Sequence, residues 1–142
     1  QYVLTPYEKN QQDIRSHFLG FEEDVLVRSA RSKIRDIFLD HDSKDLTTKN
    51  YFSINDLKFS PKGFHYLDDV YGIIDGVKQG LGCAVLPLHL IEKEKGIEVM
   101  HPQKKLRVPV YLQYFNQPYY KSVHGKVVES ILNLSRSLLS QS

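Results

Sequence analysis

The segment Ile73-Ile74-Asp75-Gly76-Val77-Lys78-Gln79-Gly80-Leu81-Gly82-Cys83-Ala84-Val85-Leu86-Pro87 constrains the chain more than any other. Val70, Ile73, Ile74 and Val77 fall at i, i+3, i+4 and i+7, the apolar face of an amphipathic helix. Gly80 and Gly82 supply the helix stop, because glycine reaches positive φ without a Cβ clash. Cys83 to Leu86 is continuously apolar, as expected of a strand covered on both faces of a parallel sheet, and Pro87 closes it. The order helix, glycines, strand argues against a nucleotide role for Gly80-Leu81-Gly82. A dinucleotide fingerprint needs strand, glycines and then a helix N-terminus, so that amides and helix dipole meet the phosphate. Here that order is reversed, and no Gly-Lys-Ser/Thr follows.

At 142 residues the chain can bury a real core, and one domain is the default. Its 19 basic and 17 acidic residues are interspersed and leave a formal charge of +2, without the basic face that nucleic acid demands. The densest basic stretch, Lys104-Lys105-Leu106-Arg107, reads as a solvated loop. A single cysteine, Cys83, excludes an internal disulfide framework and a multi-cysteine zinc site, and its apolar surroundings indicate a buried, inert thiol. No apolar run approaches a membrane span and no signal-like segment opens the chain, so a cytoplasmic location is the simplest expectation. The start at Gln1, directly before a strand-like Tyr2-Val3-Leu4, suggests an excised domain.

Along the chain, Glu8 to Asp13 reads as loop or a short helix, Phe18 to Phe21 as an apolar patch, and Val25-Leu26-Val27 as a compact strand. A helix is expected from Ser32 to about His41, with Ser32 as N-cap and Ile34, Ile37 and Phe38 at i, i+3 and i+4. Asp40 to Asp45 forms a polar linker; Tyr51 to Phe59 alternates weakly, as a strand or part of an insertion. Phe64 to Leu67 is a strand, and Asp68 or Asp69 caps the helix that ends at Gly80. A short helix follows over Leu88 to Lys93, then strands Ile97 to Met100 and Val108 to Phe115. Pro118 separates the last strand from a final helix, Ser122 to Leu139, with Val123, Val127, Ile131, Leu134 and Leu138 on one face. Alternating strands and helices predict an α/β fold with a mostly parallel sheet flanked by helices.

Catalytic and metal-binding arrangements are weak. His41 lies between Asp40 and Asp42, but in a polar linker whose side chains are expected to be exposed. His17, His65, His89, His101 and His124 show no ligand spacing with one another. Asp68 and Asp69, adjacent at a helix start, point apart, and capping accounts for one of them. Strand alternation puts Tyr111 and Tyr114 on opposite faces, so with Tyr119 and Tyr120 they make no single stacking platform. No catalytic residue, metal or cofactor is expected. A strand that runs into Arg28-Ser29-Ala30-Arg31-Ser32 and then a helix N-terminus would expose amides, two hydroxyls and two guanidiniums, a set suited to a small anion. The alternative is that both arginines are solvated or paired with acids and Ser32 merely caps.

The order from Leu67-Asp68-Asp69 through Gly80-Leu81-Gly82 and Cys83-Ala84-Val85-Leu86-Pro87 to Leu88-His89-Leu90-Ile91, continued by Val108-Pro109-Val110-Tyr111-Leu112 and the final helix, resembles the effector-binding domain of LysR-type transcriptional regulators. Before Leu67 only Val25 to Ser32 and the following segment line up, and Asn50 to Lys62 looks longer than usual. The resemblance implies a periplasmic-binding-protein-like α/β lobe, with residues 1–106 as the second lobe and 107–142 as a strand and helix returning toward the first. It implies a non-enzymatic module that senses a small anionic effector against Arg28, Ser29, Ala30, Arg31, Ser32, Tyr66, Leu67 and Asp68, and that responds by population shift. It also implies a homodimer, through the helix at Ser32–His41 or the final helix, and contact with DNA only through a helix-turn-helix domain absent from this chain. With most of the first lobe missing, weak effector binding by this fragment alone is expected. A solute-binding lobe or a small α/β enzyme are the alternatives; no nucleophile–base pair supports the latter.

Overall fold

The computed structural model describes residues 1–116 and 122–141. In chain order the elements are β1 (Tyr2–Thr5), β2 (Ile14–Ser29), β3 (Ile37–Asp40), α1 (Thr47–Ile54), β4 (Gly63–Tyr66), α2 (Val70–Lys78), β5 (Ala84–Pro87), α3 (Leu88–Ile91), β6 (Ile97–Val99), β7 (Leu106–Phe115) and α4 (Ser122–Leu138). They form two units, residues 1–22 with 107–142 and residues 23–106. Residues 1–22, read from the sequence with the second lobe, belong to the same unit as 107–142. The patch Phe18–Phe21 and the strand Val25–Val27 prove to be parts of one 16-residue strand. Pro118, Tyr119 and Tyr120 lie outside the described residues.

In the 23–106 unit, β3 pairs in parallel with β4, and β5 joins β3 through a parallel bridge between Phe38 and Cys83. On the other side of β5, β2 runs antiparallel, and β6 runs antiparallel to β2. The sheet is therefore mixed, and the expectation of a mostly parallel sheet fails. An apolar run such as Cys83 to Leu86 reports burial on both faces, which any central strand has whatever the direction of its neighbours.

One face of this sheet packs under α2 and α3, with Val25, Val27, Leu39, Ile73, Ile74, Val77, Ala84, Leu86 and Ile91 forming the core. Each Val, Leu or Ile side chain among them contributes about 1.5–3 kcal/mol on burial. Asp69 caps α2, its Oδ1 accepting from the Gly72 amide at 2.9 Å, and the helix stops where Gly80 takes φ of 78°. Gly82 has a different task. A Cβ there would stand 2.7 Å from the Ile37 carbonyl oxygen, the atom that accepts from the Cys83 amide. The residue is small so that β5 can reach β3.

The opposite face is covered by α1, where Tyr51 and Phe52 are buried, and Phe38 packs edge-on to Phe52 at 5.4 Å. This corrects two expectations. Residues 47–54 are helical where the weak alternation at Tyr51–Phe59 pointed to a strand or insertion. Conversely, no helix forms at Ser32–His41: Ser32–Asp36 is loop and Ile37–Asp40 is β3. The i, i+3, i+4 spacing of Ile34, Ile37 and Phe38 is real, but a β-branched and aromatic segment gains more by pairing with β4 and Cys83 than by closing a helix. Ser32 Oγ accepts from the Ile34 amide at 3.2 Å, a serine turn and not an N-cap.

In the other unit β1 pairs antiparallel with β7, from Tyr2↔Tyr114 to Thr5↔Tyr111, and β7 lies beside β2. Leu19, Leu112 and Val128 form its core, joined by Val110, Tyr114, Ile131, Leu132 and Leu139. The helix α4 is present as expected but turns a different stripe inward: Val123, Val127, Leu134 and Leu138 are exposed.

Candidate functional site

Register decides which residues can share a site in the 23–106 unit. Parallel pairing of Ile37 with Gly63 and Asp40 with Tyr66 ends β3 and β4 together, and β5, parallel to β3, ends at the same edge with Pro87. The antiparallel partner β2 enters at that edge, Asp24 opposite Pro87, and leaves at the far one with Ser29. The two groups expected to form one site are thus at opposite edges. Ser29 to Asp24 spans roughly 16 Å at about 3.3 Å per residue, so Arg28–Ser32 and Tyr66–Asp68 are not brought together.

At the far edge, Arg28 is held by Glu98, its Nε and Nη2 both 2.5 Å from Oε1. Ser29 is buried, its Oγ 3.3 Å from the Arg31 amide, and the Ala30 amide donates to the Gly96 carbonyl at 2.9 Å. These contacts build the turn. No helix starts at Ser32, so the helix dipole invoked for an anion there is missing. Arg31 is exposed and, with Ser29, Ala30, Lys78, Lys95 and Gly96, lines a recess of about 320 Å³. Lys78 in that recess pairs with Glu94.

At the near edge loops follow the carboxyl ends of β3 and β4, and α3 follows β5 directly. Tyr66 is 51% exposed and lies parallel to Phe64, interplanar angle 5°. Leu67 is half-buried against the α2 core, and its amide donates to the Asp40 carbonyl at 3.0 Å. Asp68 is exposed. The loop after β3 is the element that sequence reasoning missed, having treated it as a linker. Asp45 gathers the His41 amide at 3.1 Å, the Thr47 amide at 2.9 Å and the Thr47 hydroxyl at 2.6 Å. Burial raises its carboxyl, but these donors outweigh that and leave it below its ordinary value. Buried Asp40 accepts from Thr48 Oγ1 at 2.5 Å, tying the end of β3 to the first turn of α1. Burial, aided by the nearby Asp45 charge, lifts the Asp40 carboxyl above its ordinary value despite the Thr48 donor. The only signal for this loop was the pair Asp42 and Asp45, turn formers that accept from backbone amides two residues on.

Cys83 is buried with Sγ 3.2 Å from the Ile34 carbonyl, and burial pushes its thiol up to about 11, against the opposing fields of Arg28 and Arg35. Such a thiol stays protonated and is a poor nucleophile. Among the described residues no group of three His, Cys, Asp or Glu side chains could hold a metal ion, and no helix is long and apolar enough to cross a membrane.

No family model matches the sequence, and no curated protein matches it. Solved structures do. ArgP from Mycobacterium tuberculosis is similar with a TM-score of 0.83 over 99% of this chain and 53% of its own, at 14% identity. The C-terminal domains of a LysR family protein from Agrobacterium tumefaciens str. C58 match with a TM-score of 0.83 at 18% identity, over 99% of this chain and 75% of theirs. The fold is that of LysR-type regulators. Full-length LysG from Corynebacterium glutamicum, with bound effector Arg, is similar with a TM-score of 0.79 over 98% of this chain and 52% of its own, at 12% identity. The chain thus spans about half the length of ArgP and of full-length LysG. Within this LysR-type fold, the near edge combines exposed side chains of both signs, His41, Asp42, Lys44 and Asp68, with the Tyr66 ring.

Proposed function

We propose that this chain is the effector-sensing part of a LysR-type transcriptional regulator, a binding module and not an enzyme. Its ligand is a small charged molecule held at the near edge by Tyr66, Leu67, Asp68 and the loop His41–Lys44. The observation that carries this reading is the convergence of three parallel strand ends on one edge of the sheet, two of them followed by loops. Ligands of open α/β sheets gather at such edges. The Asp40–Thr48 and Asp45–Thr47 bonds pre-form the β3 loop, so little ordering entropy opposes binding. Arg28 to Ser32 act in this reading as the scaffold of the opposite edge and do not touch the same molecule.

The bound molecule acts by its unequal affinity for two arrangements of the assembled regulator, the one way a ligand can shift such an equilibrium. Its partners are the effector and a second copy of the chain; DNA belongs to a helix-turn-helix domain outside this sequence. The compartment is the cytoplasm. LysG is described with arginine bound, which makes basic and acidic amino acids the first ligands to try. Thermal unfolding of the chain with millimolar amino acids or dicarboxylates should show stabilisation by one of them, because a ligand that binds only the folded state raises the midpoint. Tyr66→Ala and Asp68→Ala should each abolish most of that rise. A rise untouched by both substitutions would remove the near edge from the site.

A further inference from the structure

Strand alternation sends Val25 and Val27 into the core under α2, and Leu26 and Arg28 to the opposite face. On that face α1 packs against β3 and β5, and its buried Tyr51 hydroxyl reaches the Leu26 backbone of β2. The chain after β6 closes the recess from another direction, the Met100 amide donating to the Leu26 carbonyl at 2.9 Å. The result is a cavity of about 240 Å³ lined by Leu26, Arg28, Arg35, Phe52, Met100 and His101. Leu26 and Phe52 are buried and give it an apolar floor; Arg28, Arg35 and His101 stand at its rim.

The two guanidiniums differ. Arg28 is neutralised by Glu98, whereas Arg35 is exposed and makes no hydrogen bond or ion pair among the described residues. Both line the same recess. We propose that this recess is a second ligand site, for a small aromatic carboxylate. Arg35 binds the carboxylate, for which its planar fork is matched. The ring lies against Phe52 and the Met100 thioether, both favourable neighbours for an aromatic face or edge. The volume falls just below the usual range of ligand pockets, about 300–1,000 Å³, and this limits the occupant to a single ring. No lining residue belongs to the near-edge site, so the two can be tested apart.

The test is an NMR titration of the isotope-labelled chain with benzoate, benzamide and inorganic phosphate. Benzoate should give saturable shifts at the amides of Leu26, Phe52, Met100 and His101. Benzamide, which keeps the ring and loses the charge, should bind about tenfold more weakly, the ordinary effect of losing one charge-assisted hydrogen bond. Arg35→Gln, at an exposed loop position, should weaken benzoate by a similar factor with the rest of the spectrum unchanged. The proposal is overturned by absence of saturation up to about 10 mM benzoate, by shifts confined to Tyr66–Asp69, or by benzamide binding as well as benzoate. Displacement of benzoate by an equal concentration of phosphate would also overturn it, because the floor would then contribute nothing. The benzamide comparison uses the unaltered chain, so the proposal can fail even if Arg35→Gln does not fold.

Discussion

Two helices written by the same rule met different fates. In α2, Ile73, Ile74 and Val77 recur at helical spacing and are buried, Val77 completely. In α4, Val123, Val127, Leu134 and Leu138 recur just as regularly and stay in solvent, Leu134 at 62% exposure. The difference lies in how many stripes each helix offers. Among the apolar residues of α2 only one arc is continuous, and its other face carries Tyr71, Asp75 and Lys78. α4 offers two overlapping arcs, the one above and that of Val128, Ile131, Leu132, Ser135 and Leu139, which share Ile131. Hydrophobic attraction is not directional and cannot choose between them. The choice follows from the chain end: Phe21 and Ser140 exchange backbone hydrogen bonds at 2.7 and 2.9 Å, which anchors the end of α4 to β2 and sets its rotation.

The comparison can be broken by substitution. Ile74→Ala should have the largest effect, a loss of about 2–5 kcal/mol for a large-to-small change in a packed core, read by chemical denaturation. Asp69→Ala removes the α2 cap without touching the core and should cost about 1 kcal/mol in the same measurement. Leu134→Ala, on the solvent stripe of α4, should change stability by no more than about 0.5 kcal/mol. If Leu134→Ala matched Ile74→Ala, the exposed stripe would be buried in solution and the contrast between the helices would disappear.

A second lesson comes from the candidate site. Tyr66, Leu67 and Asp68 were legible because they stand between a strand and a capped helix, a local pattern with local causes. The grouping of Arg28 to Ser32 with them was not. It depended on two things that a strand's own residues do not record, namely the direction of β2 against β5 and the state of residues 32–41. Reading Ile34, Ile37 and Phe38 as a helix face created a helix N-terminus at Ser32 and with it an anion site. Pairing of Ile37–Asp40 with β4 removes that helix and moves the neighbouring N-terminus to Thr47, at the other edge of the sheet.

What the sequence alone determined is what short-range chemistry controls: the cap at Asp69, the stop at Gly80, the buried thiol of Cys83, the long final helix, and the LysR-like order of elements around them. Each depends on residues within a few positions of one another. The tertiary structure alone decided the antiparallel course of β2, the rotation of α4, and which loops meet at one edge. These are settled by contacts between segments far apart in the chain, such as Asp24 with Pro87 and Phe21 with Ser140. Gly82 belongs to both: its smallness is visible in the sequence, but only the Ile37 carbonyl 2.7 Å from its missing Cβ explains it.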